Sequence, residues 1–257
     1  MTQSNGVKAT RTSFRVVEAL LEMDGAGVTE LSDRLGLSKS STHSHLATLC
    51  DLGYVVKQGD RYSVGVAFLN LGVRARRQYP VDAVVKPAVE QLADACGLVV
   101  GAAVEEGNRA TYIRVVTGDD AATLDGEPLL EAGETVPLHA TATGKALLAA
   151  SGDDRVERLV ASETLDRHTP NTTTEATRLH SQLQQVRERE LAFDHEEYRS
   201  GQRGLATVIR DPEQDPVAAI CIVGSAEQLS GKRFQQDLPG LLIRTRNKAQ
   251  KRLHNRE

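Results

Sequence analysis

The chain has 257 residues, room for two ordinary domains, and its 40% apolar and 26% charged content is the profile of a globular protein. The formal net charge of −4 argues against a surface that grips nucleic acid all over, and no stretch reaches the roughly eighteen unbroken apolar residues of a membrane helix. The first twenty residues carry Lys8, Arg11 and Arg15 but no apolar run ending at a small-residue cleavage site, and Cys50, Cys96 and Cys221 stand far apart, so a reduced, cytoplasmic protein is expected.

Charge is unevenly divided. Residues 1–79 hold ten Lys/Arg against seven Asp/Glu, a net of +3, whereas the remainder holds 21 against 28, a net of −7. Only the N-terminal part has the sign that a phosphate backbone attracts.

In chain order, Thr12 to Met23 reads as a helix with Phe14, Val17, Leu20 and Leu21 on its inward face, ended by Asp24-Gly25-Ala26-Gly27. Thr29 to Leu35 fits a short helix with Thr29 as N-cap, and Gly36 permits a tight left-handed turn. Ser38 opens a third helix to about Leu52, with Thr42, Leu46, Leu49 and Leu52 inward. Residues 54–57 and 61–64 flank the polar turn Gln58-Gly59-Asp60 and predict a hairpin. Val66 to Tyr79 fits a linker helix with arginines at its end, stopped by Pro80. Beyond it the pattern is mixed. Val84–Cys96, Leu138–Ala150, Asp153–Ala161, Thr174–Glu190 and Ser230–Leu253 contain the helical stretches, and Leu98–Val104, Ala110–Val116, Leu191–Glu196, Gly204–Arg210 and Val217–Gly224 the strands. The fold class expected is α+β: a winged helix-turn-helix, a linker helix and an antiparallel sheet flanked by helices.

A helix-turn-helix needs a short helix, a tight turn and a second helix whose first turns are small and polar. Residues 31–43 supply all three. Ser38, Lys39, Ser40, Ser41, His43 and Ser44 stand where a helix end meets phosphates and base edges, Thr29 opens the preceding helix, and Lys57 and Arg61 sit on the wing. Three ordinary surface helices would carry a similar Ser-rich turn; the hairpin directly after the third helix favours DNA binding. His45 is either a partly exposed helix residue or a hydrogen-bonded core histidine.

Enzyme motifs fail where they come near. Thr141-Ala142-Thr143-Gly144-Lys145-Ala146 lacks the first Gly and the final Ser/Thr of a phosphate loop, and no G-x-S-x-G or G-x-G-x-x-G is present. Asp194, Glu196 and Glu197 read as a charged strand end beside a ligand site, His139 as a loop residue bonded to backbone, and His43 with His45 as a poor chelating pair. No cofactor, metal or catalytic residue is expected.

Leu31-x3-Leu35-Gly36-Leu37-Ser38-Lys39-Ser40-Ser41-x-His43, Leu49-x2-Leu52-Gly53-Tyr54-Val55, Arg61-Tyr62-x-Val64-Gly65 and Leu71-Gly72 together resemble the IclR family of transcription regulators. The likeness continues through Leu138-His139-Ala140-Thr141-Ala142-x-Gly144-Lys145-Ala146-Leu147-Leu148-Ala149, Phe193-Asp194-x-Glu196-Glu197 and Val217-Ala218-Ala219-Ile220. The resemblance implies a DNA-binding domain over residues 8–65 with its helix-turn-helix at about 28–47, a linker helix over 66–79 and a GAF-like effector domain over 80–257. It further implies a regulator of a catabolic pathway for a sugar, organic acid or aromatic compound, a homodimer or homotetramer on a near-palindromic operator, and a small-molecule effector. The effector residues it implies are Ala142, Thr143, Asp194, Gly204, Cys221 and Val223. Where the family often has Cys, Ser and Ser, this chain has Gly204, Cys221 and Val223. Fewer polar donors and the added room of a glycine point to an effector larger or less charged than pyruvate. Whether the protein represses or activates stays open at this level.

Overall fold

The computed structural model describes residues 6–162, 164–211, 213 and 215–255, and the chain divides into two compact units between Gln78 and Tyr79.

The first unit begins with α1 (Lys8–Glu22), α2 (Val28–Leu35) and α3 (Lys39–Asp51), which pack around Val16, Leu20, Leu31 and Leu46. Gly36 closes α2 at φ +65°, and Ser38 caps α3 by accepting the Ser41 N–H at 3.1 Å. Strands β1 (Val55–Gln58) and β2 (Arg61–Val64) form the wing, with Gln58 paired to Arg61 and Gly59 at φ +62° in the turn. Tyr62 is buried and bridges to Ala26, fixing the wing against the α1–α2 turn. Helix α4 (Ala67–Arg76) is shorter than the 66–79 stretch expected.

Three local expectations need correction. The buried stripe of α1 is Thr12, Val16, Val17, Ala19 and Leu20, while Phe14 and Leu21 are 58% and 64% exposed. Leu52, expected inward on α3, is exposed as well. A run of apolar residues wider than one stripe leaves the helix phase to tertiary packing. The start of α2 is capped by Gly27, whose N–H donates to Glu30 Oε2 at 2.7 Å; Thr29 lies inside the helix and is exposed.

The second unit is a six-stranded antiparallel sheet covered by helices on both faces. In chain order its strands are β3 (Val99–Glu106), β4 (Arg109–Thr117), β7 (Thr135–Pro137), β8 (Ala192–His195), β9 (Gln202–Arg210) and β10 (Pro216–Ser225). They lie in the order β7-β4-β3-β10-β9-β8. A separate small hairpin, β5 (Thr123–Leu124) with β6 (Glu127–Pro128), was not foreseen from the sequence. Period-two alternation assigns the faces. Val100, Ala102, Val104, Leu205, Ile209, Ile220 and Ile222 meet α5 (Asp82–Cys96) and α9 (Leu238–His254). On the other face Ala103, Ala206, Ala219 and Cys221 meet α6 (Ala142–Ala150). Behind α6 lie α7 (Asp153–Ser162) and α8 (Ala176–Arg189), and Arg233–Asp237 forms a π-helical turn before α9.

Helix α6 is buried from Ala142 through Ala149, which explains its composition: small residues let it lie close to the sheet and to its own entry loop. A Cβ on Gly144 would stand 2.5 Å from Leu138 Cα and 2.6 Å from the carbonyl oxygens of Pro137 and Leu138. Gly144→Ala is therefore expected to push α6 off its seat and lower stability by about 1–3 kcal/mol. A urea denaturation midpoint that does not fall would contradict this close approach.

Candidate DNA interface and effector site

On the N-terminal unit, α3 presents Lys39, Ser40, His43 and Ser44 to solvent with Ser41 half-buried, while Thr42, Leu46 and Leu49 face the core. The exposed polar strip thus begins at the capped N-terminus of α3, where backbone N–H groups and the helix dipole attract anions. Ser44 Oγ donates to the Ser40 carbonyl at 3.0 Å, so it stabilises its own helix. His45 is half-buried and its Nδ1 lies 2.9 Å from Ser13 Oγ of α1, which combines the two readings that the sequence left open.

The wing residues are less available than expected. Lys57 Nζ stands 5.4 Å over the Tyr62 ring. Arg61 donates to the Gly25 carbonyl and lies 3.4 Å from Glu30 Oε2, although its side chain is 59% exposed. Its guanidinium ties the wing to the start of α2, a positioning contact that a phosphate would have to share.

In the C-terminal unit, register gathers most of the expected effector residues. Asp194 on β8 pairs with Gly204 on β9, and Gly204 pairs with Val223 on β10. Cys221 lies two residues along the same face. Above them is the start of α6. Thr141 caps it by accepting the Gly144 N–H at 3.0 Å, and Ala142 and Thr143 form its first turn. Ala142, Thr143, Asp194, Cys221 and Val223 are all at most 6% exposed.

The extra room at Gly204 is small. A Cβ there would meet Ile222 O at 3.4 Å, Ala142 Cβ at 3.7 Å and Val223 Cγ2 at 3.8 Å, so the glycine leaves space for about one methyl in ordinary contact beneath the start of α6.

Tyr112, on β4, was not identified from the sequence. It is 3% exposed, its hydroxyl lies 2.7 Å from Thr143 Oγ1, and it accepts from Cys221 Sγ at 3.9 Å. Two of the expected effector residues therefore turn their polar atoms to this phenol. Its ring crosses Gly101, where a Cβ would come within 2.9 Å of Tyr112 Cδ1 and 2.8 Å of Leu130 Cδ2. Burial raises the phenol well above its ordinary pKa and also raises the Cys221 thiol, so both stay protonated and able to donate. An aromatic in an apolar strand reads as core by pattern alone; only the seating of α6 on the sheet sets it beside Thr143.

Lys145 and Glu197 were also missed as site residues. Lys145 Nζ donates to Glu197 Oε1 at 2.6 Å, with side-chain exposures of 4% and 6%. Glu197, read from the sequence as part of a charged strand end beside a ligand site, lies just past β8 and is buried in an ion pair. The signal was available: one lysine inside the apolar run Ala142–Ala150 requires a buried counter-charge. His139, as expected, bonds backbone, with Nε2 2.9 Å from the Asp166 carbonyl.

Burial pushes the Asp194 carboxyl up to about 7, aided by the nearby Glu197 carboxylate and opposed by the Glu197 and Tyr198 N–H groups and by Lys145. An acid with a raised pKa holds its proton in the folded state while the unfolded chain has lost it, so stability falls as pH rises from about 4 to 7. Asp194→Asn removes this penalty. The melting temperature of the variant relative to wild type is expected to rise from pH 5 to pH 8; a constant difference would refute the burial of a titrating carboxyl here.

Comparison with known proteins agrees with this architecture. The IclR helix-turn-helix domain matches residues 12–59, and the bacterial transcriptional regulator IclR C-terminal domain matches residues 74–249. The chain is 28% identical to the transcriptional repressor IclR of Escherichia coli over 233 residues, covering 90% of this chain and 84% of that protein. It is similar in fold to the Thermotoga maritima IclR crystal structure, with TM-score 0.79, 22% identity and coverage of 95% and 98%. It is also similar to an IclR homolog from Microbacterium hydrocarbonoxydans complexed with 4-hydroxybenzoate, with TM-score 0.76, 19% identity and coverage of 94% and 98%. A helix-turn-helix with an exposed polar recognition helix, joined in one chain to a sheet domain of this family's C-terminal type, places the chain in the IclR family, the DNA-binding transcription regulators with a C-terminal effector-binding domain.

Proposed function

We propose that residues 8–65 read an operator, residues 66–79 link, and residues 80–257 sense a small metabolite of a catabolic pathway for a sugar, an organic acid or an aromatic compound. The observation that carries the DNA reading is the exposed strip Lys39, Ser40, His43 and Ser44 at the capped start of α3, on the one part of the chain with net positive charge. Ser38 and Ser41 support that helix end, and Thr29, Lys57 and Arg61 complete the DNA-facing set. The effector contacts are Ala142, Thr143, Asp194, Gly204, Cys221 and Val223. The aromatic ligand of the Microbacterium homolog supports an aromatic or hydroxyl-bearing effector, and the work is done in the cytoplasm.

The DNA-bound form is a homo-oligomer on a near-palindromic site. Val7, Phe14, Leu52, Val66, Leu69 and Leu71 are exposed. Phe14, Leu49, Leu52, Phe68 and Leu71 line a cleft of about 510 Å³ within the N-terminal unit. A second copy covers this face, because isolated exposed apolar patches of this kind mark association surfaces and a two-fold dimer matches a palindrome.

Lys39→Ala is expected to weaken binding to operator and random DNA alike and to reduce the salt slope by about one unit. An unchanged slope in a fluorescence anisotropy titration would count against this docking. Leu69→Glu combined with Leu71→Glu is expected to shift the protein to monomers in analytical ultracentrifugation and to lose operator binding, with the C-terminal unit still folded. Retention of the dimer would remove this face as the interface.

A further inference from the structure

The proposed effector site draws on the first turn of α6 and on strands β8, β9 and β10. One buried interaction joins α6 to the end of β8 and the turn that follows it. Lys145, three and two residues after Ala142 and Thr143, donates to Glu197 Oε1 at 2.6 Å. Glu197 in turn donates its backbone N–H to Asp194 Oδ1 at 2.7 Å. The turn is further pinned on its outer side: Thr172 Oγ1 donates to the Glu197 carbonyl at 2.6 Å, and Thr169 Oγ1 donates to the Glu196 carbonyl at 2.7 Å. Glu196 adopts φ +64° and pairs with Arg203 at 2.9 Å. Glu197 Oε2 is buried without a hydrogen-bond partner among the described residues, so that carboxylate relies on Lys145 and, at 3.3 Å, the His195 N–H.

We propose that Lys145 and Glu197 are positioning residues of the effector site: their buried ion pair holds the start of α6 against the Asp194 turn and keeps the lysine from acting as counter-ion to the ligand. The inference rests on the effector reading above. Its first consequence concerns ligand chemistry. With the lysine engaged by Glu197, the acid of the proposed site is Asp194, and its donors are the hydroxyls and thiol of Tyr112, Thr143 and Cys221, which bond one another across the sheet from it. Such a set recognises hydroxyl or N–H groups, and it accepts a ligand carboxylate when Asp194 carries its proton. Its second consequence is mechanical. A ligand that moves the start of α6 must move the Asp194 turn with it, because separating the pair would strand a buried carboxylate.

The groups acting on Asp194 are Lys145 from α6, Glu197 on its own turn, and the N–H groups of Glu197 and Tyr198. They give the test opposite signs. Carboxyl carbon NMR of the full-length protein, with Asp194→Asn to assign the resonance, reads the Asp194 titration. Lys145→Met is expected to raise its midpoint and Glu197→Gln to lower it. The double variant Lys145→Met/Glu197→Met replaces the pair by apolar groups of similar volume, which buried pairs tolerate, and should return the midpoint close to wild type. Midpoints that stay put in both single variants, or move the same way, would overturn the proposal; the double variant keeps it testable where a single variant fails to fold.

The positioning claim has its own readout. Calorimetric binding of 4-hydroxybenzoate and of neutral 4-hydroxybenzyl alcohol to the double variant should weaken about tenfold, a coupling of roughly 1.4 kcal/mol, while operator binding persists. Undiminished affinity in a folded double variant overturns it. Binding that survives Asp194→Ala would instead sink the effector reading and leave the titration to decide the pair. If neither probe binds wild type, the titration again decides the pair by itself.

Discussion

The seat of α6 on the sheet governs the C-terminal unit. A helix buried over nearly its whole length can lie close to a sheet when both surfaces are made of small residues, and Ala142 and Ala146 pack with Ala103, Ala206, Ala219 and Cys221, while Gly144 lets the helix sit against its own entry loop. Close approach brings the capped N-terminus of α6 over the sheet near Gly204 and Val223. The cost is that no polar group in the layer can reach water. Most find a protein partner, as in Lys145–Glu197, Tyr112–Thr143 and Thr141–Gly144.

Electrostatics in this layer follow from burial more than from charge count. Breaking the ion pair by removing one member would cost about 3–5 kcal/mol, since an uncompensated charge would stay buried. Asp194 has no comparable partner and is raised to about 7. The proposed effector site therefore holds one settled charge pair and one carboxyl raised toward neutrality by burial.

The N-terminal unit solves a different problem. Its recognition helix is short of basic residues, so anchoring depends on the capped helix end and on the wing being fixed in place. Tyr62 does the fixing through its bridge to Ala26, and Arg61 adds a tie to Gly25 and Glu30. A side chain that supports the wing is less free to contact DNA, and in the DNA reading proposed above this leaves Lys39 and the backbone at the start of α3 as the main phosphate donors. The same unit leaves Phe14, Leu52, Leu69 and Leu71 exposed, apolar surface that its own core does not require.

Local chemistry determined much of this by itself. Turn residues at Gly36, Ser38 and Gly59 set the helix-turn-helix and the wing, because capping and positive φ act within a few residues. Alternation along the strands set which residues share a face, since side-chain direction has a period of two. Lys145 announced a buried counter-charge without naming it. Tertiary structure decided what depends on register and on phase. Phe14, Leu21 and Leu52 belong to apolar runs wider than one stripe, so packing chose which of their neighbours went inside. Tyr112 and Thr143 are 31 residues apart, Lys145 and Glu197 are 52 apart, and no local rule pairs them. Those contacts exist because six strands and a buried helix bring distant segments within hydrogen-bond reach, and the properties of the proposed site, from the raised Asp194 carboxyl to the small space at Gly204, arise there.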